Sequence, residues 1–276
     1  MSLTFAPLRP GVIVEFEEQQ DHFQHGEAGP FLWEQVFLQN QFPCVRRRVT
    51  VAIAQPFEAR IVLHHCDWQP VESDERGYHV YRWDLHDVPG LETDAWTPPP
   101  RDFAPWVDLS TLPTWRPIAR HYRKELLPGR AAPPSVKQLA RDLTQECTTD
   151  RERALAIHRY TARDVRYGRH PSEQMLRTIR EPSKMLEDLR GDCKDKSALM
   201  VMLFDELNIP AKVAVLLTAQ NGRTPMLPSL RFDHAIVAAR LDGEEVWFDP
   251  ASGPFTFGEL PLNDQGVKAL VLESDE

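Results

Sequence analysis

The sequence predicts an α+β chain: an antiparallel, sandwich-like β domain first, then helices packed on an antiparallel sheet. Three observations predict it. Between residues 12 and 82, β-branched and aromatic residues alternate with polar ones in short runs, the pattern of half-buried strands. From residue 89 to 134, prolines interleave with Trp and Phe. Beyond 134, apolar residues recur at helical spacing and then give way to strand-like runs. With 276 residues, 42% hydrophobic and 26% charged, the chain is long enough for two modest domains or one large one.

The first domain is read as residues 1–88. Its strands are VIVEF (12–16), LWEQVFLQ (32–39), RRVTVAI (47–53), EARIVLHHC (58–66) and YHVYRWDL (78–85). Turn residues separate them, notably at 25–30 and in ESDERG at 72–77. Residues 89–134 read as an ordered connector, because a disordered one would rarely keep Trp96, Phe103, Trp106 and Trp115. A short helix is expected near residues 115–127.

The third segment is residues 135–276. SVKQLARDLTQEC sets Val136, Leu139, Ala140 and Leu143 on one helix face, with Ser135 as N-cap, and Asp150 is expected to cap RERALAIHRYTARDV. A third helix runs from residue 193 to about 207, where Asn208-Ile209-Pro210 ends it. KVAVLLT, FDHAIVAARL and EEVWFDP follow as strands, the last two joined by an Asp242-Gly243 hairpin turn. No internal repeat or low-complexity tract occurs.

Composition excludes several functions. A net charge of -9 and a pI near 5.6 argue against nucleic acid as the main partner. The basic run Arg46-Arg47-Arg48 reads as the solvent side of a strand. No run of about 18 apolar residues occurs, so no membrane span is expected. No signal-peptide pattern opens the chain either. A cytoplasmic protein is expected as the chain stands, or a periplasmic one if it is a piece of an exported protein. Cys44, Cys66, Cys147 and Cys193 are too few and too scattered for a disulfide framework or a structural zinc site. The HHCD run at 64–67 would point its side chains to opposite faces of a strand, and His22 and His25 lack a supporting ligand. No metal or other cofactor is expected.

One thiol stands apart. In RGDCKDKSALMVML (190–203), Asp192 is a good N-cap and Asp195 occupies the capping-box position, so Cys193 falls in a first helical turn. Free N–H groups and the positive end of the helix dipole favour a thiolate there, with Lys194 and Lys196 adding charge or facing solvent. The same features also suit a small residue starting a core helix. A nucleophile needs a proton partner and something to orient it. His234 opens one strand and Asp249 closes its hairpin partner, so both are expected at one sheet edge. A Cys193, His234, Asp249 triad follows if the helix start packs there.

The blocks Gly191-Asp192-Cys193-Lys194-Asp195-Lys196, Phe232-Asp233-His234-Ala235 and Trp247-Phe248-Asp249-Pro250 resemble the bacterial transglutaminase-like superfamily over residues 135–262. Their order and spacing, about 40 and about 15 residues, fit that branch. YRWDLHDVPGLETDAWTPPP and DLSTLPTWRPIARHY resemble the end of a DUF3857-type β-rich domain, shortened at its N-terminus as in a fragment. The resemblance implies a papain-like core and thiol-dependent acyl transfer on amide bonds of proteins or peptides, as a cysteine peptidase, amidase or transamidase. It implies an oxyanion hole from the Cys193 N–H and one further donor, for which Gln174 and Tyr167 lie in the right region. Asp233 stands where the family commonly has Asn, an added carboxylate near the site. Substrate choice would lie in the loop NGRTPMLPSLRF (221–232) and on the sandwich surface. The competing expectation is a catalytically idle scaffold that binds a protein or peptide. Neither the acyl acceptor nor the oligomeric state is legible.

Overall fold

The computed structural model describes residues 24–26, 29–127, 132–168, 179–253 and 258–273. The expected strand at 12–16, together with His22 and Gln174, falls outside them, as does the side chain of His25. In chain order the first part holds β1 (Gln24–Gly26), β2 (Gly29–Phe31), β3 (Trp33–Phe37), β4 (Cys44–Ala54) and β5 (Arg60–His64). It continues with β6 (Val71–Glu75), β7 (Tyr78–Val88) and β8 (Trp106–Ser110). The second part holds α1 (Arg116–Leu126), α2 (Pro134–Thr144), α3 (Asp150–Arg159), β9 (Arg166–Tyr167) and α4 (Pro182–Asp188). Then come β10 (Arg190–Gly191), α5 (Cys193–Glu206), β11 (Ala211–Leu216), β12 (His234–Leu241), β13 (Glu244–Phe248) and β14 (Ala269–Val271). The chain is therefore α+β, as its sequence pattern predicts.

Two three-stranded antiparallel sheets, β3-β8-β5 and β4-β7-β6, face each other as a small sandwich. Alternation along β4 and β7 turns Val49, Val51, Tyr81, Trp83 and Leu85 inward, where they meet Leu38, Ile61, Leu63 and Val107. The Trp83 indole N–H donates to the Trp68 carbonyl at 2.8 Å, so the buried ring leaves no donor unpaired.

Two expectations for this half change. The turn read over 72–77 narrows to Arg76 and Gly77, both at positive φ (50° and 85°), and residues 71–75 form an edge strand. Acidic side chains suit an exposed edge, which explains why a turn-like composition still pairs with β7. The connector read over 89–134 is likewise not extended throughout. Residues 106–110 within it are the central, fully buried strand of the first sheet.

In the second part, β13-β12-β11-β14 form one antiparallel sheet. Ala235, Val237 and Ala239 of β12 pack with α5, while Ile236, Ala214 and Leu216 meet Leu260, Val267 and Val271 of the C-terminal segment. A sheet covered on both faces reads as continuous apolar runs, which AKVAVL and HAIVAARL are. Helix α5 is buried along nearly its whole length, so it is the central rod of this core. The Asp242-Gly243 turn, at φ 53° and 84°, joins β12 to β13 as expected.

Helix starts differ from expectation by a residue or two. Pro134, not Ser135, opens α2 after Pro133, since a proline at the first helical position needs no N–H partner. Thr149, not Asp150, caps α3 in a capping box with Glu152. None of the described helices is long and apolar enough to cross a membrane.

The two parts are tied through the loop that precedes β12. The Asp102 carboxylate accepts from the Arg223 and Thr224 N–H groups at 2.7 and 2.8 Å and from the Thr224 hydroxyl at 2.9 Å. Asp108 accepts from the Leu227 N–H at 2.6 Å, and the hydroxyls of Ser110 and Tyr122 donate to the carbonyls of Pro228 and Leu230. Asp102→Ala would leave three loop donors without their acceptor. We expect it to lower unfolding stability by about 1–3 kcal/mol in urea titration. An unchanged midpoint would mean that Asp108, Ser110 and Tyr122 hold the loop without it.

Candidate active site

Helix α5 begins at Cys193 because its start is capped on both sides. The Asp192 carboxylate accepts from the Lys194 N–H at 2.9 Å and the Asp195 N–H at 3.3 Å, and Asp195 answers by accepting from the Asp192 N–H at 3.0 Å. The second oxygen of Asp195 accepts from the Arg180 N–H at 2.8 Å. These bonds use the N–H groups of Lys194 and Asp195 and leave that of Cys193 out. Gly191 precedes the cap because a Cβ there would lie 2.8 Å from both Asp195 Cβ and Met185 Sδ. The Cys193 thiol is buried, 7% exposed.

The hairpin brings the other two residues to it. In the β12–β13 register Val237 stands opposite Phe248, so one step further Asp249 comes level with Ile236 and diagonal to His234. His234 Nε2 lies 3.1 Å from Asp249 Oδ2, and the Cys193 thiol acts on the same imidazole from α5. Cys193, His234 and Asp249 are thus brought together, the thiol and the carboxylate buried and the imidazole partly so. Asp249 also accepts from the Ala251 N–H at 2.8 Å and from the Ser252 hydroxyl. Burial alone would lower the His234 pKa, but the bonds to Asp249 and Cys193 outweigh it and hold it at about 10. Burial would raise Asp249, and the His234, Ser252 and Ala251 donors bring it below the usual carboxylate value instead.

Three neighbours are not evident in the sequence. Asp264, on a 3-10 turn (Leu262–Asp264), is 6% exposed and places Oδ2 3.7 Å from His234 Nε2. Burial and the Asp249 charge push its pKa up to about 7, against the pull of His234. Lys196, expected either to add charge near the thiol or to face solvent, is 1% exposed, and burial lowers it to about 8, opposed by Asp249. Its Nζ donates to the Ala162 carbonyl at 3.5 Å. His158 sits under the site with Nε2 3.4 Å from the Asp249 carbonyl oxygen, its pKa lowered by burial. A lysine one turn along a helix reads as solvent-facing until that whole helix is known to be internal.

Other candidates lie elsewhere. The Asp233 carboxylate ties down the loop, accepting from the Thr218 N–H at 2.9 Å, the Thr218 hydroxyl at 2.8 Å and the Asn221 amide at 2.6 Å. Tyr167 is exposed on β9, paired in parallel with β10 just before the cap. In the HHCD run, the His64 ring stacks on Trp106 at 3.9 Å and His65 Nε2 lies 3.0 Å from the Arg101 carbonyl oxygen. Lys194 pairs with Asp192 rather than with the thiol. Among the described residues, the groups whose donor atoms could share a metal ion are His234, Asp249 and Asp264, within 4.8 Å of one another. Asp249 Oδ2 is already engaged by two donors.

Lys196 gives a pH prediction. Its ordinary value is 10.5 and its folded value about 8, so between them the unfolded chain binds more protons. This residue therefore adds stability as pH rises from about 8 to 10.5. Lys196→Met should be stabilised relative to the wild type most at pH 7, with the gap closing by pH 10.5 in parallel urea titrations. A gap independent of pH would mean that Lys196 stays charged in the fold.

Residues 137–250 match the Transglutaminase-like superfamily, and residues 1–92 match the Domain of Unknown Function DUF3857. A candidate protease from Parabacteroides distasonis ATCC 8503 superposes with a TM-score of 0.64 at 18% identity, over 82% of this chain. The chain spans 43% of that protein. A candidate cysteine protease from Cytophaga hutchinsonii gives 0.37 at 14% identity, over 80% of this chain and 78% of its own. The periplasmic domain of TgpA from Pseudomonas aeruginosa gives 0.34 at 14% identity, over 80% and 85%. A search of curated proteins found no match. Residues 137–250 are therefore similar to a transglutaminase-like core, and residues 1–92 before them to a DUF3857 domain.

Proposed function

We propose that this chain is a thiol-dependent acyl-transfer enzyme acting on amide bonds of proteins or peptides, with Cys193 as nucleophile, His234 as its acid–base partner and Asp249 as the residue that orients His234. The observation that carries the reading is one partly buried imidazole set between a carboxylate oxygen at 3.1 Å and the Cys193 thiol. With Nε2 turned to Asp249, Nδ1 is the nitrogen left for sulfur. An imidazole held at about 10 is protonated at neutral pH, and in this reading it is the counter-ion of a Cys193 thiolate.

In this reading the Cys193 sulfur attacks the amide carbon and the carbonyl oxygen becomes an oxyanion. The Cys193 N–H, left out of the capping bonds, is one donor for it. The C–N bond breaks as His234 gives its proton to the leaving amine, leaving a thioester on Cys193. Water or a lysine amine then attacks the thioester and gives its proton to His234, releasing an acid or a new amide and restoring the pair. Residues 135–276 carry these steps, and the preceding residues hold the 221–232 loop that leads into His234.

Iodoacetamide at pH 6 should alkylate Cys193 at least tenfold faster than Cys44, Cys66 or Cys147, and His234→Ala should abolish the difference. Asp249→Asn should slow turnover on peptide amides by orders of magnitude while the variant still unfolds cooperatively, at a lower melting temperature. Equal alkylation of all four cysteines would leave the idle, peptide-binding scaffold as the better account.

A further inference from the structure

Asp264 presents a chemical problem that the triad alone does not. It comes from the C-terminal segment, is 6% exposed, and its Oδ2 has no donor facing it. It faces His234 Nε2 at 3.7 Å, too far for a hydrogen bond, and the carboxylate of Asp249, all three donor atoms lying within 4.8 Å of one another. Two bare carboxylates in contact away from water repel each other, and a single proton between them turns that repulsion into a hydrogen bond. The groups facing Asp264 are His234 from β12, Asp233 from the residue before it and Asp249 from the end of β13, with the Cys193 sulfur of α5 beyond the imidazole. Lys196 reaches the same cluster only through Asp249. A metal ion is the weaker occupant, because Asp249 Oδ2 already serves His234 and Ser252.

We propose that Asp264 is a positioning residue of this site: it shares one proton with Asp249 and, on losing it to solvent, sets a second negative charge against the His234 imidazole. This rests on the acyl-transfer reading for its catalytic consequence, though not for the proton itself. With the proton in place, one carboxylate faces the imidazolium, and the ring can release its proton to a leaving amine. Without it, two carboxylates hold the imidazolium, and that release becomes harder. Acylation therefore falls on the alkaline side, around the value of about 7 at which Asp264 titrates. Asp264→Asn keeps a donor towards Asp249 at every pH and moves that alkaline fall upward.

The test is thermal unfolding of the wild type and Asp264→Asn at pH 5 and pH 8. Asp264 has its folded value raised above its unfolded value of 3.8, so its contribution to stability is present at low pH and lost as pH rises through about 7. The melting temperature of the variant relative to the wild type should rise by roughly 3 °C or more between the two pH values. A gap that stays constant, or closes, overturns the shared proton. Should the variant fail to fold, aspartate-labelled wild type gives the same answer by carboxyl NMR. One aspartate should titrate between pH 6 and 8 and shift the His234 ring signals as it does, and the absence of such an aspartate overturns the proposal. The pH profile of Cys193 alkylation, run alongside, reports the thiolate–imidazolium pair separately. A failed enzyme reading and a failed Asp264 proposal therefore give different results.

Discussion

A positive charge kept at the buried end of a sheet needs negative partners from every layer that meets there, and His234 has them. Isolated burial of an ion costs several kcal/mol even after relaxation, so the imidazole is tolerable only where its neighbours are fixed. Strand parity sets which neighbours these are. His234 shares the face of Ile236, which packs towards the C-terminal segment, while Ala235 and Val237 face α5. Sitting at the first position of β12, the imidazole reaches the helix start with one nitrogen and the far layer with the other. Cys193 comes from one layer, Asp264 from the opposite one, and Asp249 from the hairpin between them.

That arrangement explains features that look unrelated. Asp249 accepts from Ala251, Ser252 and His234 together, which keeps it ionised despite complete burial. The tight approach at Gly191, where a side chain would strike Asp195 and Met185, brings β10 close enough for the Asp192 cap to form. Without that cap α5 would have no fixed first residue, and the sulfur no fixed place. The apolar length of α5 then anchors the rod, since its flanks pack against α2, α3, β11 and β12. Apolar burial fixes the helix axis, and polar capping fixes its end.

Legibility followed the same division. The meeting of Cys193, His234 and Asp249 at one sheet edge could be read because each sits beside punctuation that sequence displays: a capping box, a strand start and a hairpin whose turn is Asp-Gly. Strand alternation in β4 and β7 likewise disclosed the sandwich. Asp264 could not be read, because it lies on a short turn in a segment without periodicity, and only the covering of a sheet face brings it to His234. Lys196 stays between two readings in the sequence, because helical position says nothing of burial when a helix is apolar on all sides. Strand β8 hid inside a proline-rich stretch, and its polar Asp108 and Ser110 looked unlike core residues until the loop they bind was in view.

That loop makes the first half of the chain part of the site's geometry. Residues 221–232 pair with no strand, so the sheet cannot satisfy their backbone groups. Asp102, Asp108, Ser110 and Tyr122 satisfy them instead, and the buried Arg101 side chain donates to the Thr224 carbonyl. Asp233 closes the same loop against Thr218 immediately before His234. Each unpaired buried group would cost about 1–3 kcal/mol, so the loop has few other low-energy paths while those partners are present. Remove the partners and the sheet would still form, because β11 pairs with β12 along the whole of β11 without the loop. What would be lost is the direction from which the chain enters β12, and His234, its first residue, is where that direction matters most.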